Sequence, residues 1–302
     1  MTSQREDSIP HELRTAAEPR QQGLYPVRLT RVEQANPSIR LLQFGIPAHT
    51  DNVQPFTFQP GQWLDVHIPS ITNAGGFTIT STPADAQGAS AHVELAVQDS
   101  PSNPAAAWLW KPEREIINQE VNIRVGGSFT WPPSGIESSL VKNVLLVAGG
   151  VGINPLISIL SHLHNEWQGP HQLSIHFLYS SRLPQGHESL PLGTILDQIL
   201  FVPRIREILK SQKQSRKLNI SLQLFLTDLP AGRLSQDGLT DFTIHSRRIN
   251  KQDIDAVVAG GDPSQTVSYI CGPPSMTDEM VEVLNGVLGR DGRKRVFYEK
   301  WW

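Results

Sequence analysis

The sequence predicts two domains of different class: a six-stranded antiparallel β-barrel, then an α/β domain built around a mostly parallel sheet. Three observations carry this reading. The chain has 302 residues, enough for about two independent cores. Gly and Pro each number 23, an excess over average usage that goes with many turns and short strands. The hydrophobic rhythm also changes once, at the turn-rich Pro132-Pro133-Ser134-Gly135. Before it, apolar and polar residues alternate; after it, apolar runs end at glycines and lead into helical patterns.

In chain order, residues 1–22 read as a disordered tail, polar and of mixed charge, without the apolar core of a secretory signal. Residues 23–135 read as the barrel. Its candidate strands are Tyr25–Val32, Arg40–Phe44, Gln62–Ile68, Phe77–Ser81, His92–Gln98 and Val121–Val125, with a short helix at Pro104–Trp110. Residues 140–302 read as the α/β domain. Strands are expected at Val144–Ala148, Leu173–Tyr179, Ile220–Leu226, Val267–Ile270 and Val296–Tyr298. Helices are expected at Pro155–His164, Gly193–Lys210 (kinked or divided by Pro203) and Ser275–Leu288.

Composition excludes several function classes. A net charge of −3 argues against nucleic-acid binding by bulk electrostatics. No apolar run reaches the roughly 20 residues of a membrane span. The single cysteine, Cys271, excludes an intrachain disulfide framework and cysteine-ligated zinc or iron–sulfur centres. The ten histidines show no metal-site spacing, and no G-x-S-x-G elbow anchors a hydrolase triad. An unpaired thiol suits a reducing compartment, the cytoplasm or alternatively the mitochondrion.

Two motifs carry chemistry. The apolar Val144–Ala148 runs into Gly149-Gly150-Val151-Gly152-Ile153-Asn154-Pro155, a strand, a glycine turn and a helix start. Glycines let the backbone approach a ligand, Asn154 is a candidate N-cap, and the free N–H groups of a helix start favour a phosphate. Read locally, the segment serves either a phosphate or close packing. The second motif, Tyr269-Ile270-Cys271-Gly272-Pro273-Pro274-Ser275-Met276, repeats the strand–glycine–helix pattern. Ligands of open α/β sheets bind beyond the carboxyl ends of the strands, where both motifs fall. Cys271 taken alone reads as a small buried hydrophobe.

These two motifs in this order, after six barrel strands, resemble the ferredoxin–NADP reductase superfamily. The glycine-rich Gly75-Gly76-Phe77-Thr78 and the ending Tyr298-Glu299-Lys300-Trp301-Trp302 narrow the likeness to the oxidoreductase NAD-binding domain-containing proteins. The resemblance implies an enzyme, an FAD-binding barrel and an NAD(P)H-binding α/β domain, with hydride passing from nicotinamide to flavin and electrons leaving to a separate, unidentified acceptor. It implies that Gly149, Gly150, Val151, Gly152, Ile153 and Asn154 carry the nicotinamide dinucleotide's pyrophosphate. Cys271 then stands beside the hydride-donating carbon, with Gly272, Pro273, Pro274 and Met276 shaping that wall. Ser180, Ser181 and Arg182 read the adenosine ribose, and in the absence of a local acid they favour a 2′-phosphate. Phe77, Thr78, Ile79 and Thr80 are the flavin segment, with the Thr78 hydroxyl near flavin N5; Thr78 and Cys271 are the candidate catalytic residues. Trp302 is a candidate to cover the flavin and Glu299 to lie near it.

Three positions depart from that family's pattern: Gly75 replaces an arginine, Phe77 a tyrosine and Thr78 a serine. Gly75 stands where an arginine grips the flavin pyrophosphate, a loss of about 1.5–3 kcal/mol, for which the backbone N–H groups of Gly126-Gly127-Ser128 offer a substitute. The alternative reading is therefore an NAD(P)-binding redox-sensing or interaction protein that has lost tight FAD binding.

Overall fold

The computed structural model describes residues 10–47, 55–184, 190–215, 217–229 and 242–301. The chain divides into two units between Trp131 and Pro132. The fold class agrees with expectation: six antiparallel strands in one unit and six parallel strands with helices in the other.

The first unit contains α1 (His11–Arg14), β1 (Tyr25–Asn36), β2 (Ile39–Gly45), β3 (Trp63–His67), β4 (Gly75–Thr78), β5 (His92–Gln98), α2 (Pro104–Leu109), α3 (Glu113–Ile116) and β6 (Glu120–Gly126). The strand order is β4-β3-β6-β1-β2-β5, and a single bridge from Ile79 to Leu95 brings the two end strands together. Alternate residues (Leu64 and Val66 on β3, Val121, Ile123 and Val125 on β6, Val93, Leu95 and Val97 on β5) point into one apolar core, as a half-covered antiparallel sheet requires. The fourth strand begins at Gly75 rather than Phe77, and beyond Thr78 its pairing reduces to that one bridge.

The expected tail is corrected for residues 10–22. His11–Arg14 is a helix, Arg20 bridges Gly126, the Gln21 N–H donates to Val125 O at 2.9 Å, and the Gly127 N–H donates to Pro19 O at 3.0 Å. The physical anchor is Asp65 on β3, whose side chain is fully buried. It accepts from Arg20 Nε at 2.9 Å and from Arg124 NH2 at 2.8 Å, and pairs with His11 Nε2 at 3.3 Å. Polar composition alone hid this, because the apolar and charged groups that receive the segment lie on distant strands.

The second unit contains β7 (Asn143–Gly149), α4 (Ile153–Glu166), β8 (Leu173–Ser181), α5 (Leu192–Asp197), α6 (Val202–Ser215), β9 (Leu218–Leu226), β10 (Thr243–His245), α7 (Lys251–Ala259), β11 (Thr266–Gly272), α8 (Pro274–Gly292) and β12 (Val296–Lys300). The order β10-β9-β8-β7-β11-β12 is parallel throughout. Residues of β7 after Asn143 and all of β11 are buried, as expected of central strands covered on both faces. The helix expected over Gly193–Lys210 is two: Phe201 adopts φ 61° between them, and Pro203 enters the first turn of α6. The short β10 and the helix α7 were not anticipated. Asn250 caps α7 by accepting from the Asp253 N–H at 3.3 Å, and Arg247 closes on the Asp253 carboxylate with two bonds of 2.7 Å. Among the described residues, no helix is long and apolar enough to cross a membrane, and no cluster of His, Cys, Asp and Glu is arranged to hold a metal.

Candidate functional site

The two glycine motifs sit at the carboxyl ends of adjacent strands. β7 and β11 pair in parallel, with Cys271 opposite Ala148, so the turn after each strand leaves on the same edge of the sheet. The turns then pack backbone to backbone. A Cβ on Gly152 would lie 2.3 Å from Cys271 O, one on Gly149 would lie 2.6 Å from Met276 Sδ, and one on Gly272 would lie 2.8 Å from Met276 Cε. Glycine is dictated at Gly152 by backbone that cannot yield, whereas at Gly149 and Gly272 the nearest atoms are the flexible end of Met276, with Pro273 Cδ at 2.9 Å and Gly149 Cα at 3.1 Å behind them.

Gly150 differs. Its φ is 55°, and a Cβ there would meet nothing within 4 Å. The loop is therefore exposed and open at Gly150 and closely packed at Gly149 and Gly152. One tight turn, Gly150–Gly152, leads into α4, which carries no acidic residue in its first turn. The Ile153 N–H closes this turn onto Gly150 O and Val151 O, and the positive end of a 14-residue helix follows directly. This arrangement fits a dinucleotide's diphosphate. The N-cap expectation is corrected: α4 starts at Ile153 with Gly152 in the capping position, and Asn154 is buried inside the first turn. The extra turn of tight helix shifts the helix start ahead of the asparagine.

Cys271 is fully buried. Burial, reinforced by the Glu299 charge on the neighbouring strand, pushes its thiol well above the ordinary range, and Cys271 and Glu299 are register partners. The group is therefore a neutral, packed thiol. Thr277 Oγ1 donates to Gly272 O at 3.1 Å, and the Trp301 N–H donates to the same carbonyl at 3.1 Å. Trp301 also donates its indole N–H to Glu299 at 3.2 Å. The C-terminal strand is thus tied to the Cys271–Gly272 turn by Trp301, a residue the sequence offers only as part of the C-terminal motif, the site role being expected of Trp302. Trp302 lies outside the described residues.

On the other side of β7, Ser180 pairs with Gly149 across the sheet, placing Ser180, Ser181 and Arg182 beside the glycine loop. Ser181 Oγ donates to Arg182 O at 2.9 Å, and Arg182 is exposed. An acid does reach this tip, from β9: Asp228 Oδ1 accepts the Leu183 N–H at 2.8 Å. No local sequence signal announces it, because the two positions meet only through the pairing of β8 with β9.

The barrel residues proposed for a flavin are more enclosed than the motif suggests. Phe77 belongs to the apolar core, and its ring lies where a side chain on position 75 would go: a Cβ on Gly75 would be 2.5 Å from both Phe77 Cε2 and Ala105 Cβ. Ile79 is fully buried, with its N–H donating to Gln62 O at 3.0 Å. Thr78 is nearly buried and pairs with Trp63. Thr80 Oγ1 donates to Glu94 Oε1 at 2.7 Å. The expected use of Gly126–Ser128 as free donors is corrected. The Gly127 N–H donates to Pro19 O, and the Ser128 N–H and Oγ donate to Glu18 Oε2 at 3.1 and 2.6 Å. Position 75 and the 127–128 turn, as they stand, do not fit a diphosphate.

Comparison with known proteins agrees with this architecture. Residues 141–285 match the ferric reductase NAD binding domain. Over 300 residues the chain is 33% identical to the cattle (Bos taurus) oxidoreductase NAD-binding domain-containing protein 1, covering 97% of this chain and 85% of the relative. It is 27% identical over 284 residues to the reductase component of propane 2-monooxygenase from Rhodococcus jostii, covering 91% of this chain and 62% of the relative. A ferredoxin NADP+ reductase from Neisseria gonorrhoeae, solved with bound FAD and NADP, shares the fold with a TM-score of 0.64 at 13% identity, over 93% of this chain and all of the other. The glycine turns, the strand order and these likenesses agree, and the chain belongs to the oxidoreductase NAD-binding domain-containing protein family, within the ferredoxin–NADP reductase fold.

Proposed function

We propose that this chain is an NAD(P)H-dependent reductase that delivers hydride to a flavin and passes the electrons to a separate acceptor. The observation that carries the reading is the meeting of two glycine turns, Gly149–Gly152 and Cys271–Gly272, at the ends of adjacent strands. The open side of the loop at Gly150 takes the diphosphate of the nicotinamide dinucleotide, at the positive end of α4. The wall formed by Cys271, Gly272, Pro273 and Met276 orients the nicotinamide. There the exposed Pro273 edge meets the ring, and the buried, neutral thiol packs behind it. Ser180, Ser181 and Arg182 hold the adenosine end, with the Arg182 charge directed to a 2′-phosphate.

The flavin, when bound, supplies the hydride acceptor and the route to one-electron partners. In this reading its ring meets the Phe77–Thr80 stretch, where Thr78 contributes the hydroxyl. What the chain contributes is proximity and orientation. One unpaired, buried thiol suits a reducing compartment, the cytoplasm or the mitochondrial matrix.

The test is direct. Purified protein supplied with flavin should consume NAD(P)H with an artificial electron acceptor. Failure to bind NAD(P)H removes the reading. Binding of NAD(P)H without turnover under any flavin supports instead an NAD(P)-binding sensor or interaction protein.

A further inference from the structure

Among the described residues of the barrel, several groups that could grip a phosphate are used internally by the chain. Position 75 admits no side chain, because Phe77 and Ala105 already fill its space. The Ala105 and Ala106 N–H groups at the start of α2 both donate to Asn103 Oδ1, at 3.1 and 3.2 Å. The Ser128 N–H and hydroxyl hold the Glu18 carboxylate, and the Gly127 N–H holds Pro19 O.

Three guanidinium groups of the barrel are engaged as well. Arg20 and Arg124 both close on Asp65. Arg40 donates to Lys111 O at 2.7 Å and stacks on Trp110 at 4.6 Å. Two acidic side chains complete the surroundings: Glu18 at Ser128, and Glu94 hydrogen-bonded to Thr80. A diphosphate needs cations or free N–H donors and is repelled by carboxylates. This surface offers it the reverse.

We propose that the barrel recognises a flavin by its ring system alone and has no subsite for the diphosphate–adenosine arm of FAD. Riboflavin, FMN and FAD are then equivalent, dissociable ligands, and FAD is not a resident prosthetic group. The proposal rests on the flavin reading above. It assigns the chemical class of the ligand (a free isoalloxazine ring) and ties its loose retention to Gly75, Asn103 and Glu18.

The experiment is equilibrium ultrafiltration of the full chain against riboflavin, FMN and FAD, each followed by visible absorbance. NADPH binding is measured on the same preparation by nicotinamide fluorescence. The expected result is three dissociation constants within about fivefold of one another, with every flavin lost on desalting. FAD binding more than fivefold tighter than riboflavin, or FAD carried through desalting in stoichiometric amount, overturns the proposal. No binding of any flavin, with NADPH binding intact, overturns the flavin reading on which it stands. That outcome is distinct from selective tight binding of FAD.

Discussion

The imidazole of His11 lies directly against the backbone of Gly76: a Cβ on that glycine would be 2.1 Å from His11 Nδ1. The same ring meets Trp63 edge-on at 4.6 Å. The N-terminal segment is therefore seated in a space that only glycine leaves open. Gly76→Ala is expected to push the imidazole away and to cost about 1–3 kcal/mol, read as a lower urea midpoint at unchanged slope. In a His11→Ala background the same change should cost much less, because the colliding ring is gone. An equal cost in both backgrounds would show that the ring is not the obstacle.

Asp65 is the charge that holds this segment. Burial alone would raise its pKa, but hydrogen bonds from His11, Arg20 and Arg124, and the Arg20 charge, outweigh that and hold the carboxyl far below its ordinary value. A depressed folded-state pKa contributes stability that is complete above the unfolded value, near ~3.9. That stability is lost as pH falls through the folded value. Asp65→Asn should therefore destabilise the protein by about 3 kcal/mol at neutral pH. The difference between wild type and variant should shrink steadily below about pH 4. A gap that stays constant down to pH 2 would contradict the assignment.

Gly152 and Gly150 make opposite demands in one loop. Gly152→Ala places a methyl 2.3 Å from Cys271 O, a backbone atom that cannot rotate aside. It should both destabilise the fold and weaken NAD(P)H binding. Gly150→Ala meets open space but inherits a φ of 55°, a strain of about 1–2 kcal/mol. Its added methyl enters the proposed diphosphate site, so affinity should fall more than stability does. Nicotinamide fluorescence titration beside thermal melts separates the two effects.

Cys271 is fully buried, with its thiol pushed up by burial and by Glu299. At pH 8 the native protein should resist iodoacetamide and Ellman's reagent, and denaturation should release one reactive thiol. Rapid labelling of the native state would mean that the turn opens readily.

Two opposite charges flank the chain just beyond β8. Arg182 is exposed and Asp228 accepts the Leu183 N–H. Arg182→Ala should weaken NADPH binding by about tenfold, the scale of one charge-assisted hydrogen bond, and leave NADH little changed. Asp228→Asn should move NADPH affinity the other way, by removing a carboxylate near the 2′-phosphate. If neither substitution alters the NADPH-to-NADH ratio, the adenosine end is read elsewhere.

Much of the fold was legible because it rests on local rules. Alternation marked the barrel strands, and apolar runs ending at glycine marked β7 and β11. Pro203 announced that a helical stretch would divide. The start of β4 was misread, since Gly75 and Gly76 carry no strand propensity and pair only because β3 lies beside them. The helix α7 was missed as well, although Asn250 and Asp253 form a reciprocal cap at its start.

The sequence by itself determined the two-domain class, the two glycine turns and the family, because backbone freedom and hydrophobic periodicity are written residue by residue. Only the tertiary structure decided what those residues touch. It brought the Gly152 turn onto the Cys271 turn, Asp228 to the tip of β8, and Glu18 onto Ser128. It also filled the space at Gly75 with Phe77 and Ala105. Such contacts join positions far apart in the chain, and their energies depend on packing and desolvation that no local pattern encodes. A glycine in the sequence permits an approach; the fold determines whether a ligand, a helix or the protein's own N-terminus makes it.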